Sequence, residues 1–200
     1  KRLPQMEPEQ FQQWAALLKE RTGMRLPDSR ISFLVTNLGM RMRELGINDY
    51  QTYYNYVNTG REGIIEWDQL VHHLTVHETR FLRQESVLSL IRDKFLPSTH
   101  EQCENNPLTI NVWSVGCSTG EEPYSVAMTI DDHMRSLGCR YYLGVTASDI
   151  SRSSLAHGRK GIYTRQQIKD LDTNWLDEYF AITKDDKFQV HEDLRKRVCF

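Results

Sequence analysis

The 200-residue chain lacks the features that tie a protein to a membrane, a metal or an oxidising compartment. Its longest apolar runs fall far short of the ~20 residues that span a bilayer, so no membrane insertion is expected. The polar start, Lys1 to Gln13, has no apolar core of a secretory signal. Four cysteines, Cys103, Cys117, Cys139 and Cys199, are scattered, and none forms a Cys-x-x-Cys pair. That spacing argues against a zinc site, a redox motif and a disulfide framework. Reduced thiols in a cytoplasmic protein are the expectation. Charge of one sign is also missing: 25 Lys and Arg stand against 27 Asp and Glu, a net charge of −2. Bulk electrostatics therefore favours neither nucleic acid nor an anionic membrane. There is no G-x-G-x-x-G, which disfavours NAD, and no internal repeat or low-complexity segment.

What is present is the composition of a globular protein, 39% hydrophobic and 26% charged, long enough for one large domain or two small ones. The first residue is Lys rather than Met, which reads as a trimmed N-terminus. Residues from Glu7 to about Gln84 read as helical. Phe11, Trp14, Ala15, Leu17 and Leu18 recur at helical spacing up to Thr22-Gly23. Asp28-Ser29 is an N-cap candidate for a second helix carrying Ile31, Leu34, Val35, Leu38, Met42 and Leu45, with Gly46 at its end. Tyr50, Tyr53, Tyr54 and Val57 mark a third helix, and Trp67, Leu70, Val71 and Leu74 a fourth. The spacing predicts a helical domain over 1–84, then a linker helix and loop over 85–107.

From 108 the pattern changes to strand, loop, helix, strand, which implies a parallel α/β sheet. Thr109 to Val115 reads as the first strand, Pro123 to Leu137 as a helix, and Tyr142 to Ala147 as the second strand, ending in Ser148-Asp149. Ser153 to His157 and Gln166 to Phe180 read as helices. Phe188-Gln189-Val190 and Arg197 to Phe200 read as strands flanking a charged turn, so that 180–200 begins a small β-subdomain. With two parallel strands visible, the α/β domain over 108–200 is expected to be a truncated piece of a larger sheet.

The loop between strand one and its helix, Gly116-Cys117-Ser118-Thr119-Gly120-Glu121-Glu122, carries the chemistry. Small residues admit a ligand to the backbone, and Gly116 and Gly120 take positive φ without strain. Two carboxylates beside the helix start repel a phosphate but suit hydroxyls or a positive charge. S-adenosylmethionine offers both, through its ribose and its sulfonium. Glu121 and Glu122 lie about 100° apart on a helix, so one is expected to be functional and the other structural. Asp149 ends strand two, where nucleotide-binding sheets place their ligands, and can accept from ribose hydroxyls. From spacing alone, a strand-end cap is an equal reading. His73 and His77 are four apart, but no third ligand is apparent, so no metal is expected.

Trp113 to Ser125, WSVGCSTGEEPYS, is very similar to the signature loop of the CheR-type chemoreceptor glutamate methyltransferases. Thr146-Ala147-Ser148-Asp149-Ile150 resembles that family's strand end, Gly161-Ile162-Tyr163 its Gly-Ile-Tyr segment, and Thr79-x-Phe81-x-Arg83 its Asn-x-Thr-x-Phe-Phe-Arg junction. The resemblance covers nearly the whole chain. It implies an all-helical N-terminal domain followed by a Rossmann-like S-adenosylmethionine-dependent domain. It also implies methyl transfer to glutamates on the cytoplasmic methylation helices of a bacterial chemoreceptor, leaving S-adenosylhomocysteine, with no metal.

By the same resemblance, Glu122 contacts the cofactor and Asp149 its ribose. Gly116 and Ser118 line the cofactor loop, and Thr79 and Arg83 lie at the active site as catalytic and cofactor-binding residues. His77 stands where the family has the junction asparagine, a cofactor-side position. The family's second helix is basic and recognises the receptor; here it carries Arg30, Arg41 and Arg43, with Asn37 and Met40 at positions often basic. Some members bind a receptor pentapeptide through a Gly-containing turn. The matching turn, Thr183 to Lys187, has no Gly, which implies an enzyme independent of the pentapeptide tether. A non-catalytic cofactor-sensing or receptor-binding adaptor of the same fold is the alternative.

Overall fold

The structure is a computed structural model that describes residues 5–75, 78–98 and 107–200. It divides into two compact units, Lys1–Val76 and His77–Phe200, a division upstream of the boundary at 84 expected from helical spacing.

In the first unit, helix α1 spans Pro8–Thr22, α2 Ile31–Glu44, α3 Tyr50–Val57 and α4 Gly60–Leu74. Pro8 opens α1 where its missing N–H costs nothing, and Gly23 closes it in the left-handed conformation, donating to the Lys19 carbonyl. Asp49 caps α3 by accepting from the Thr52 N–H at 2.8 Å. The expected cap at Asp28-Ser29 does not form: Asp28–Arg30 is a 3₁₀ turn, and Asp28 accepts from Gln12 instead. One face of each helix meets a core of Trp14, Leu18, Leu34, Leu38, Met42, Tyr53 and Leu70, with Tyr53 and Tyr54 stacked about Trp14. Helical structure ends at Leu74 rather than near Gln84, because Thr75 turns extended.

In the second unit, α5 (Glu85–Leu90) continues through a π turn, Ile91–Phe95, to Leu96–Ser98. Strand β1 (Leu108–Val115), helix α6 (Glu121–Ser136) and strand β2 (Tyr141–Ser148) form a parallel unit, with Val112 beside Val145 and Val115 beside Ser148. One face of this pair, Ile110, Leu143, Val145 and Ala147, is buried in the same core as Ala127, Met128, Ile130 and Met134 of α6. Then come α7 (Arg152–Lys160), β3 (Ile162–Tyr163), α8 (Thr173–Tyr179), β4 (Phe180–Ile182), β5 (Phe188–Val190), α9 (Glu192–Arg195) and β6 (Val198–Cys199).

Two of these elements differ from the sequence expectation. Gln166 to Phe180 is not one helix: 165–170 forms turns, Gln167 folds back to accept from the Thr164 N–H, and Asp172 caps a shorter α8. The segment 180–200 does not stay within one subdomain. The charged stretch after β5 folds into α9 and carries β6 into the parallel sheet beside β2, where the Val145 N–H donates to the Arg197 carbonyl at 2.7 Å. The main sheet thus has order β1-β2-β6, and the small antiparallel sheet has order β3-β5-β4.

The far end of α6 is fixed by Asp131. Its buried carboxylate accepts from Tyr141, from Tyr179 at 3.0 Å and from Arg197 at 2.6 Å, joining α6, β2, α8 and the entry to β6. Beside it lies an open cavity of about 550 Å³ lined by Arg135, Glu178, Tyr179, His191 and Arg197. It sits at the opposite end of α6 from the glycine loop. No described helix is long and apolar enough to cross a membrane.

Candidate functional site

The site is built at the carboxyl ends of β1 and β2, where parallel strands release their chains together. As β1 ends, the N–H groups of Gly116 and Cys117 both donate to the Ser148 carbonyl, at 2.8 and 3.0 Å, locking the loop to the end of β2. Three residues of the loop take positive φ: Gly116 at 74°, Ser118 at 48° and Gly120 at 98°. Gly120 is required by space as well as by angle. A Cβ there would lie 2.8 Å from the Tyr163 hydroxyl and 3.0 Å from Cα of Gly158. At Gly116 the same construction meets nothing within 4 Å, so open space lies beside that backbone.

Asp149 closes the loop from the other strand. One carboxylate oxygen accepts from the Ser118 N–H and the other from the Ser151 N–H, each at 2.8 Å. The strand-end cap and the loop-facing acid are therefore the same residue: each oxygen carries a second acceptor site beyond its backbone bond. Ser118 is buried, and its hydroxyl oxygen has no hydrogen-bond partner.

The two glutamates differ in burial and partners. Glu121 is 1% exposed, and its carboxylate accepts from Thr119 Oγ1 at 2.6 Å and Gln167 Nε2 at 3.2 Å. Glu122 is exposed and accepts from Ser114 Oγ at 2.6 Å. Glu121 holds the loop; Glu122 faces outward from it. Burial, with the nearby charge of Asp149 adding to it, pushes the Cys117 thiol up to about 12, so it stays protonated at neutral pH.

The junction segment does not continue the helical structure expected up to about Gln84. Residues 78–80 have no regular structure and 81–84 turn. Phe81 is fully buried, edge-on to Tyr163 and Phe180 at centroid distances of 4.9 and 5.7 Å. Arg80 pairs with Asp170 at 3.1 Å. Thr79 is half-buried, and the exposed Arg83 donates to the Glu78 carbonyl. His77 lies outside the described residues. Among the described residues, no group of three or more His, Cys, Asp and Glu is placed to hold a metal ion.

Of the three arginines expected to face a receptor, Arg30 and Arg43 are exposed, with Arg30 over the Phe33 ring. Arg41 is not. Its side chain is 11% exposed and forks onto the buried Glu66, with bonds of 2.9 and 2.6 Å, while Tyr53 donates to the same carboxylate at 2.6 Å. Arg41 lies on the expected helix, but its partner on α4 is set by the packing of α2 against α4, which spacing along one helix does not show. Sequence reasoning also assigned no role to Ser114, Thr119, Ser125 or Gln167, although the first three lie within or beside the matching loop.

A parallel strand-loop-helix-strand unit with a tight, positive-φ glycine loop, and an acid at the second strand end gripping it, defines a nucleotide-cofactor-binding α/β domain, here preceded by a helical unit. Residues 77–200 match the family described as CheR methyltransferase, SAM binding domain, and residues 9–75 match CheR methyltransferase, all-alpha domain. The chain belongs to the CheR methyltransferase family.

Among curated relatives, it is 31% identical over 179 residues to a chemotaxis protein methyltransferase of Borreliella burgdorferi, covering 89% of this chain and 63% of that protein. It is 32% identical over 170 residues to the chemotaxis protein methyltransferase of Escherichia coli, covering 85% of this chain and 56% of that protein. The corresponding Klebsiella aerogenes protein is 30% identical over 204 residues, covering all of this chain and 66% of that protein. The chain thus spans somewhat over half the length of the curated relatives it matches.

Proposed function

We propose that this chain carries the cofactor-binding and receptor-docking parts of a protein-glutamate O-methyltransferase that acts on bacterial chemoreceptors in the cytoplasm. The observation that carries the reading is the Asp149 carboxylate, bound by one oxygen to the glycine loop and by the other to the start of α7, with acceptor capacity left on both. Family membership and the names of the relatives support it.

The residues present fit S-adenosylmethionine. Open space beside Gly116 admits a ligand to the backbone, and the buried Ser118 hydroxyl lacks a partner that a ligand would supply. When bound, the cofactor supplies a methyl group already activated by its sulfonium. Asp149 would accept from the two ribose hydroxyls, and Glu122 would face the cofactor with its exposed carboxylate. The accepting glutamate is ionised at neutral pH, since its reference pKa is ~4.3, so no general base is needed and orientation is the protein's main task. Arg83 would hold that anionic side chain by a charge-assisted, forked contact, with Thr79 beside it, and both would also meet the cofactor.

Arg30 and Arg43 are the residues proposed to meet the receptor. The turn at Thr183 to Lys187 has no Gly, which supports the reading that this protein works without a pentapeptide tether.

Titration calorimetry of the full-length protein with S-adenosylhomocysteine tests the pocket. Saturable binding is expected, weakened about tenfold or more in Asp149→Ala. Labelled methyl transfer into receptor-bearing membranes tests the activity. A wild-type protein that binds neither the donor nor its product is incompatible with the reading.

A further inference from the structure

One turn of α6 is bonded to both walls of the proposed pocket. Ser125 is 2% exposed, and its hydroxyl both donates and accepts. It donates to the Glu121 carbonyl at 2.6 Å and accepts from the Leu82 N–H at 3.0 Å. The first bond alone is the ordinary back-bond of a helical serine. The second reaches out of the helix to a residue 43 positions earlier in the chain.

Leu82 takes φ of 57°, a conformation that a bulky side chain adopts only when its surroundings impose it. What imposes it is on either side: Phe81 buried between Tyr163 and Phe180, and the Leu82 N–H held by Ser125. Thr79 and Arg83 flank this fixed pair in sequence. From the same helical turn, Glu121 grips the glycine loop through Thr119 Oγ1 and reaches Gln167 on the far side.

We propose that Ser125 is a positioning residue: by holding Leu82 in its left-handed turn it sets the adjacent Arg83 against the glycine loop, and it acts on the ligand only through Arg83. The proposal rests on the pocket assignment made above and deepens it. A serine that merely filled the core would affect folding without any special dependence on Arg83. A serine that works through the junction must lose its effect on binding once Arg83 is gone.

The test is a double-mutant cycle in the full-length protein, read as the affinity for S-adenosylhomocysteine by calorimetry, with thermal unfolding followed in parallel. Ser125→Ala is expected to weaken binding about tenfold, the effect of one lost hydrogen bond that leaves a partly buried donor unpaired. In an Arg83→Ala background, the same change is expected to weaken binding less than about twofold. If Ser125→Ala does not fold, Ser125→Cys, similar in size and a weak acceptor, is expected to show the same dependence on Arg83 with a smaller loss. An equal loss in both backgrounds, or no loss in either, overturns the proposal while leaving the pocket in place. A wild-type protein that takes up no S-adenosylhomocysteine overturns the pocket and the proposal together.

Discussion

At the scale of single residues, burial separates side chains that hold the fold from side chains free to act. Arg41 and Arg43 are two positions apart on α2, yet the first is committed to Glu66 and the second is exposed. The Glu66 bond, the largest influence, and the charge of Glu66 raise the Arg41 pKa despite its burial, so the guanidinium stays charged across the physiological range. Removing one partner of such a pair strands a buried charge, at a cost of about 3–5 kcal/mol. Arg41→Ala is therefore expected to lower the urea midpoint of the helical unit markedly, followed by far-UV circular dichroism, whereas Arg43→Ala is expected to leave it unchanged and reduce receptor methylation. A midpoint unmoved by Arg41→Ala would return that residue to the surface set. The same contrast separates Glu121, enclosed by Thr119 and Gln167, from the exposed Glu122.

At the scale of elements, the glycine loop is a preset shape. Gly120 sits where any side chain would push into the Tyr163 hydroxyl and the backbone of Gly158, and its φ of 98° would be strained in any other residue. Gly120→Ala is expected to cost about 1–3 kcal/mol and to weaken S-adenosylhomocysteine binding while leaving the helical unit intact, as calorimetry and thermal unfolding would report. Binding equal to wild type would show that the loop can re-form around a methyl group. Local signals predicted this part of the molecule well. Alternation in β1 and β2, small residues between β1 and α6, and helical spacing in α1 to α4 each follow from short-range chemistry. The expectations that failed depended on distant partners. Phe81 turned a charged stretch inward because Tyr163 and Phe180 wait for it, and β6 left the small sheet because the edge of β2 accepts it. Two-residue strands such as β3 have too few positions to show a period at all.

At the scale of the whole molecule, the parallel sheet has one face buried against α6, and among the described residues its other face carries exposed apolar side chains. Trp113, 70% exposed, lies on the open face with Val115 and Tyr142, and the outer edge of β1 pairs with no described strand. Parallel sheets are normally buried on both faces, and an unpaired edge with apolar neighbours invites association. The 200-residue chain is expected to sediment as concentration-dependent oligomers, and Trp113→Lys with Val115→Lys to shift it toward monomer. A single species at every dilution would contradict this. The opposite edge of the sheet has its own history. Val145 is paired with Val198, so a ribosome adding about 5–20 residues per second exposes the growing β2 border for some seconds before its neighbour is made. During that interval the full length of β2 is bare on that side, and shielding by cellular chaperones would matter most then.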